Sequence, residues 1–358
     1  MAPSEGAKES LFSDKRPKPN AAPAKRPESW RKIVLKYQKP TLRQSIWQIT
    51  NTLVPYIALW TAMYFTVSLS WPLTLALAVI AGAVLVRIFI IFHDCGHGSY
   101  FKSKRANDIV GYLSGVLTFT PYRHWRWQHA VHHGTSGNLD QRGDGDIWTM
   151  TVNEYLDASP GERLKYRISR NPFVLFVLGP IFIFLIYQRF PASNANKRER
   201  QSVHWMNAGL VVYCTAMSLI FGFWNFVWIQ LTVMFIAGSA GIWIFYVQHQ
   251  FEGTYWRKQE DWDYLTSAME GSAYYKLPRI LQWLSGNIGF HHIHHLSSRI
   301  PNYNLEKCHF SEPFFQQVPE LLLIPSLKSL NLRLWDEESH QLVGFKHLKQ
   351  LKEKQLAA

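Results

Sequence analysis

Ten of the 15 histidines fall in three short stretches: His93 and His97; His124 with His129, His132 and His133; and His291, His292, His294 and His295. Written as spacings these are HxxxH, HxxHH and HxxHH. Residues three and four apart share a face of a helix, so each stretch can aim two or three imidazoles at one point. Neutral imidazole is a common ligand for iron, zinc and copper. One such spacing is commonplace among surface or hydrogen-bonded core histidines, whereas three in one chain point to metal. The cysteines, Cys95, Cys214 and Cys308, are far apart and odd in number. That excludes a disulfide framework and a four-thiolate zinc site. The HExxH pattern of zinc proteases is missing, so iron is favoured. The eight histidines that make up these spacings and His249 give nine imidazoles, a number that suits two ions. A carboxylate-bridged pair would instead need two Glu-x-x-His motifs and further glutamates on paired long helices. Glu306–His309 and Glu337–His340 have the spacing, but the second lies in a polar stretch and no such helices accompany them.

The chain of 358 residues carries 38 Lys+Arg against 25 Asp+Glu, a net +13, with 47% hydrophobic residues and a mean hydropathy of -0.12. That mean averages a polar frame with long apolar stretches. Residues 1–46 hold eleven Lys/Arg, four Asp/Glu and six Pro and read as a mobile basic arm. An early apolar segment of the secretory-signal kind is missing from it. Five apolar stretches follow, at 51–69, 72–92, 172–190, 205–224 and 226–247. About 20 residues, at about 1.5 Å each, cross the hydrocarbon. The expectation is therefore an all-α integral membrane protein.

Only Ser70 and Trp71 separate the first pair of stretches, and only Asn225 the last, so each pair is expected to form a hairpin. Neither tip carries Lys or Arg. The basic residues gather on the other side: the arm, Lys102, Lys104, Arg105, Arg123, Arg126, Lys197, Arg198 and Arg200. By the positive-inside bias that side faces the cytoplasm. The positive charge is thus a topology and headgroup signal, and no nucleic-acid partner is expected. Stretch 172–190 has basic flanks and a central Gly179-Pro180, and it is read as re-entrant or interfacial, as is the shorter 109–120. Four spanning helices in two hairpins then bring all three histidine clusters and His249 to one cytoplasmic cap. Two further boundaries are expected: a membrane domain over 47–325, and a polar tail over 326–358 with an amphipathic helix at 345–356.

The segments HDCGHGSYF (93–101), RWQHAVHHGTSGNLDQRGDGDIWT (126–149), YVQHQFEGTYW (246–256) and NIGFHHIHHLSSRIPNYNL (287–305) resemble the membrane fatty acid desaturases, of the bacterial acyl-lipid type. The resemblance covers residues 45–325. It implies a centre of two iron ions that uses O2 and two supplied electrons to introduce a double bond, cis by expectation, into acyl chains of membrane phospholipids or glycolipids. The iron ligands it implies are His93, His97, His129, His132, His133, His249, His291, His294 and His295; His124 and His292 stand outside the ligand positions. Ligating imidazoles need their second nitrogen held, and Asp94, Asp140, Asp144, Asp146 and Glu252 are close enough in sequence to do so. Trp125, Trp127, Trp148 and Phe290 flank the boxes and are candidates to line an acyl tunnel. Arg87 is expected to reach the headgroups.

A His-Pro-Gly-Gly haem-binding signature of a fused cytochrome b5 is missing, so a separate carrier, ferredoxin by resemblance, is expected to supply electrons. Lys102, Lys104, Arg105 and Arg257 are placed to dock it. The nearest rival is a histidine-box hydroxylase of lipids or alkanes, which shares the oxidant. A metal transporter would place its ligands near mid-membrane, not beyond helix ends. Bond position along the acyl chain and headgroup preference are not legible, and neither is oligomeric state. The location implied is the bacterial inner membrane, with the site facing the cytoplasm.

Overall fold

The computed structural model describes residues 30–143, 145–350 and 353, and the chain is mostly helical over them. Helix α1 (Trp30–Leu35) leads to α2 (Leu42–Thr66), which turns tightly into α3 (Trp71–His97). Ser70 caps that helix by accepting from the Leu73 N–H, and Pro72 sits in its first turn, where no hydrogen bond is lost. The apolar stretch ends at Phe92, but α3 runs on through the first histidine box and stops at Gly98. Helices α4 (Lys104–Leu117) and α5 (Tyr122–Thr135) follow, and α5 carries the second box. Strand β1 (Met150–Thr151) precedes α6 (Val152–Asp157) and α7 (Pro160–Ser169), both opened by capping boxes, Thr151 with Glu154 and Ser159 with Glu162.

The stretch at 172–190 becomes two π-helical turns around the short α8 (Gly179–Ile181), bent by 59° from α7. Helices α9 (Lys197–Phe221) and α10 (Phe223–His249) form the second hairpin. Its turn is Gly222, at φ 78, in place of the expected Asn225, because a left-handed residue reverses the chain at least cost. Stretch 174–189 touches only part of α10: Ser239 donates to the Phe176 carbonyl, and Pro180 and Phe184 lie on Gly238. Arg189 then reaches the carbonyl of Phe119 and the side chain of Asn207.

Beyond α10 come α11 (Tyr264–Glu270), β2 (Tyr274–Lys276), α12 (Arg279–Leu284), α13 (His291–Leu296), α14 (Asn302–His309), α15 (Pro313–Gln316) and β3 (Glu320–Leu322), then β4 (Leu334–Asp336) and β5 (Gln341–Val343). Strands β2 and β3 pair in parallel, and β1, β4 and β5 make a second small sheet.

Among the described residues, α3, α9 and α10 are long and apolar enough to cross a membrane, and the bent pair of α7 with 174–189 makes at most a fourth. Helix α2, with Gln48, Asn51 and Thr52 in its first half, is not in that set, although Val54, Ile57, Tyr64 and Phe65 face outward.

Three expectations are corrected. Residues 30–46 are not free arm: Trp30 and Val34 are buried beside Leu265, Ile293 and Leu296, and Gln38 donates to Ser297 at 2.8 Å. Residues 1–29 lie outside the described residues. The polar tail is part of the body as far as residue 350, because Trp335 and Leu342 bury one face of the β4–β5 hairpin, leaving Trp335 1% exposed. Of the helix at 345–356, residues 347–350 are helical and most of the rest lies outside the described residues. Arg87 does not reach outward either: it is buried, donates to Thr52, Asn51 and the Trp283 carbonyl, and lies over the Trp283 ring.

Candidate metal centre

Each histidine stretch is delivered by the end of an element. His93 and His97 occupy the last turns of α3, and His249 ends α10. His129, His132 and His133 sit on α5, and His291, His294 and His295 on the short α13. The structure brings these nine side chains together in two groups. His93, His97, His129, His133 and His294 form one, and His132, His249, His291 and His295 the other, each with its donor atoms within 4.8 Å of one another. The HxxHH boxes are split between the groups: His132 goes one way and its neighbour His133 the other, and likewise His295 and His294. Side chains at adjacent helical positions point about 100° apart, so one turn can serve two centres.

The contacts between rings fit a cation. His93 donates from Nδ1 to Asp94 at 3.0 Å, which leaves its Nε2 as a bare lone pair. That Nε2 nevertheless lies 3.0 Å from His129 Nε2 and 3.1 Å from His294 Nε2. His249 donates from Nδ1 to the Gly271 carbonyl at 3.1 Å, and its Nε2 lies 2.9 Å from His291 Nε2. Further buried ring nitrogens, Nε2 of His97, His132 and His295, have no hydrogen-bond partner among the described residues. Lone pairs so crowded repel unless a positive ion sits between them. Metal–nitrogen bonds of about 2.1 Å at right angles would place ligand nitrogens about 3.0 Å apart. Burial, and then the neighbouring imidazoles, hold His129, His133, His291, His294 and His295 well below the ordinary histidine pKa. These rings are therefore neutral, the form that binds metal.

The carboxylates separate. Asp94 holds His93, and its second oxygen accepts from the Asn302 backbone N–H at 2.6 Å and side chain at 2.8 Å. Gln48 of α2 in turn donates to Asn302 at 2.8 Å. Asp146 holds His132 Nδ1 at 2.5 Å. Asp140 is exposed and accepts from the Gln259 N–H, and Glu252 is exposed, so neither is brought to a ring. Asp144 lies outside the described residues. Asn302 and Gly271, which complete the support, were not expected from sequence. Asn302 lies 208 positions from Asp94, and a carbonyl acceptor such as Gly271 leaves no trace in residue type.

Of the other histidines, His292 is buried with His309, Nε2 to Nδ1 at 3.0 Å, and also meets the Phe315 carbonyl, away from both groups. His124 stacks near Trp127. The Glu306–His309 motif is thereby absorbed into packing, and His340 sits in the β4–β5 turn at φ 53.

A cavity of about 240 Å³ lies between α3, α10 and stretch 174–189. Leu85, Phe89, Met234, Ile242, Phe245 and Ile288 supply apolar wall, and His93, His129 and His291 bring both groups to its rim. Trp125 lines it. Trp127, Trp148 and Phe290 stand elsewhere: Trp148 packs on Tyr166, and Phe290 stacks on Tyr274 behind α13.

The model of a family described as fatty acid desaturase matches residues 69–320. A "Fatty acid desaturase" of Bacillus subtilis is 49% identical over 320 residues, 89% of this chain and 91% of that one. The "sn-1 oleoyl-lipid 12-desaturase" of Synechocystis is 30% identical, covering 64% of this chain and 65% of its own. A Synechocystis "sn-1 acyl-lipid omega-3 desaturase (ferredoxin)" is 26% identical, covering 64% of each.

Proposed function

Because the chain belongs to the fatty acid desaturase family, we propose that it desaturates acyl chains of membrane lipids, with one iron ion in each histidine group. When bound, the two ions would supply the redox chemistry that unactivated methylenes demand, with O2, two electrons and two protons consumed as the two C–H bonds are lost and two waters leave. The observation that carries this reading is the apolar cavity whose rim is built from ligands of both groups. An acyl chain in that cavity would be held by shape alone, since its walls offer dispersion and desolvation with few polar contacts.

The chain's own groups have defined tasks. Asp94 keeps the proton of His93 on Nδ1, Asp146 does so for His132, and the Gly271 carbonyl does so for His249. In each case Nε2 is left to face the metal group. Phe89, Trp125 and Phe245 exclude water from the rim.

The α2–α3 and α9–α10 hairpins are read as four spans. Stretch 174–189 is read as re-entrant, in keeping with its contact to only part of α10. Exposed Lys102, Lys104 and Arg105 follow the first box, and the positive-inside bias supports reading that side as cytoplasmic, at the inner membrane of a bacterium. A separate acidic carrier, ferredoxin or similar, would supply electrons, as in the cyanobacterial relative so named.

The test is mass spectrometry of fatty-acid methyl esters from a bacterial host expressing the chain, beside His132→Ala. Double bonds made only by the intact site are expected. Hydroxylated chains would replace this reading with a hydroxylase. No change from a chain loaded with two irons and supplied with reduced ferredoxin would end it.

A further inference from the structure

The cavity has a polar end and an apolar end. Gln128, Gln248 and the histidines stand at one, and Leu85 and Met234 at the other. At about 1.5 Å per residue, Leu85 lies about 12 Å from His93 along α3, and Met234 about 21 Å from Gln248 along α10. Just past that floor the two helices close on each other. A Cβ on Gly82 would lie 2.7 Å from Ile236 Cβ and 2.9 Å from the Val233 carbonyl. Thr118 also lines the cavity, but its hydroxyl donates to the Ser114 carbonyl, and Leu85 and Met234 at the floor offer nothing to an ester or a headgroup, so the deep end suits a methyl terminus.

Midway along α10 the wall is made of glycine twice over, and the two differ. A Cβ on Gly238 would lie 2.9 Å from Pro180 and 3.1 Å from Phe184, so that glycine serves helix packing. A Cβ on Gly241 would have nothing within 4 Å, although Gly241 lines the cavity. Helix α10 gains nothing in backbone terms from a glycine in its interior, since alanine favours helix there. The missing side chain is space left open inside the cavity, about one-half of the way between the histidines and the floor.

We infer that Gly241 is a specificity-determining residue: the gap at its α-carbon lets the methyl-terminal part of an acyl chain pass between α3 and α10, and so sets the longest chain accepted. This rests on the reading that an acyl chain fills the cavity. A methyl added at Gly241 narrows the passage without displacing any described neighbour, so its effect falls on substrates long enough to pass it. One methylene in an apolar pocket shifts selectivity by about 10–200-fold, which sets the scale for a larger side chain.

The experiment compares the unaltered chain with Gly241→Ala and Gly241→Leu in a host whose lipids carry myristoyl, palmitoyl and stearoyl chains. Fatty-acid methyl esters give the desaturated fraction of each, and metal content and thermal unfolding of the purified proteins report the fold. Gly241→Leu is expected to lower the stearoyl-to-myristoyl product ratio by more than about 100-fold, and Gly241→Ala by about tenfold, the low end of that range, with metal retained. An unchanged ratio in a metal-loaded Gly241→Leu overturns the inference. If the leucine variant loses metal or unfolds, the alanine variant decides, and an unchanged ratio there overturns it equally. Absence of any double bond from the unaltered, iron-loaded chain is the separate failure of the desaturase reading.

Discussion

The two histidine groups lie side by side yet are built differently. In the group of five, His97 and His129 are half-buried, and its outer support is a chain of hydrogen bonds from Asp94 through Asn302 to Gln48 on a third helix. In the group of four every ring is buried, and support comes from Asp146 and the Gly271 carbonyl. A recess of about 10 Å³, lined by His132, Asp146, His249 and Gln250, opens beside the four, room for about one water. With an ion in each, the larger group would offer five protein ligands, and the smaller would offer four with that recess beside it, room for one further ligand as in catalytic metal sites. The difference indicates which centre depends more on each residue it has.

Removing a ligand tests this most severely. His291→Ala takes one of four and His294→Ala one of five. Both are expected to lower desaturation by more than about 100-fold, the upper range for losing a mere outer partner of a ligand. Iron per chain should fall further in His291→Ala, measured by plasma mass spectrometry on the purified proteins. Equal iron loss in the two would mean that the groups do not differ in completeness.

The carboxylates come next in size. In Asp94 one oxygen accepts from His93 and the other from both donors of Asn302, so Asp94→Asn must turn an NH2 toward a donor whichever way it lies. Iron affinity of the five-histidine group is expected to fall about 10–100-fold. In Asp146 the second oxygen has no partner among the described residues, so Asp146→Asn keeps its bond to His132 and loses only charge. Its effect on the group of four should be a few-fold, read by competition with a chelator. The reverse order would remove the Asn302 chain from the account.

The convergence of the histidines was legible because imidazoles packed into i, i+3, i+4 patterns betray themselves locally, and the hairpins because hydrophobic length is a local property. What holds the rings was half legible. Asp94 and Asp146 are neighbours of ligands in sequence, whereas Asn302 and Gly271 arrive from distant elements. The tunnel was poorly legible: Trp125 lines the cavity, but most of the wall is Leu, Val, Ile, Phe, Met, Ala and Gly from α3 and α10, residues that any spanning helix contains. The sheet of β1, β4 and β5 was invisible because strands of two or three residues carry no period to detect.

The smallest expected effect separates backbone strain from pressure on a centre. Gly98 closes α3 at φ 68 beside the group of five, and a Cβ there would meet nothing within 4 Å. Gly145 has φ 90 beside the group of four, and a Cβ there would lie 3.1 Å from the Gln128 carbonyl and 3.1 Å from His132 Cβ. Alanine at either position carries the left-handed penalty, about 1 kcal/mol. Gly98→Ala should therefore lower the unfolding temperature slightly and leave iron affinity alone. Gly145→Ala should add a push on His132 through its own Cβ, so iron in the group of four is expected to be held a few-fold less tightly at a similar cost in stability. If both variants lose only stability, the Gly145 loop is a bystander, and Asp146 holds His132 without help from the backbone that carries it.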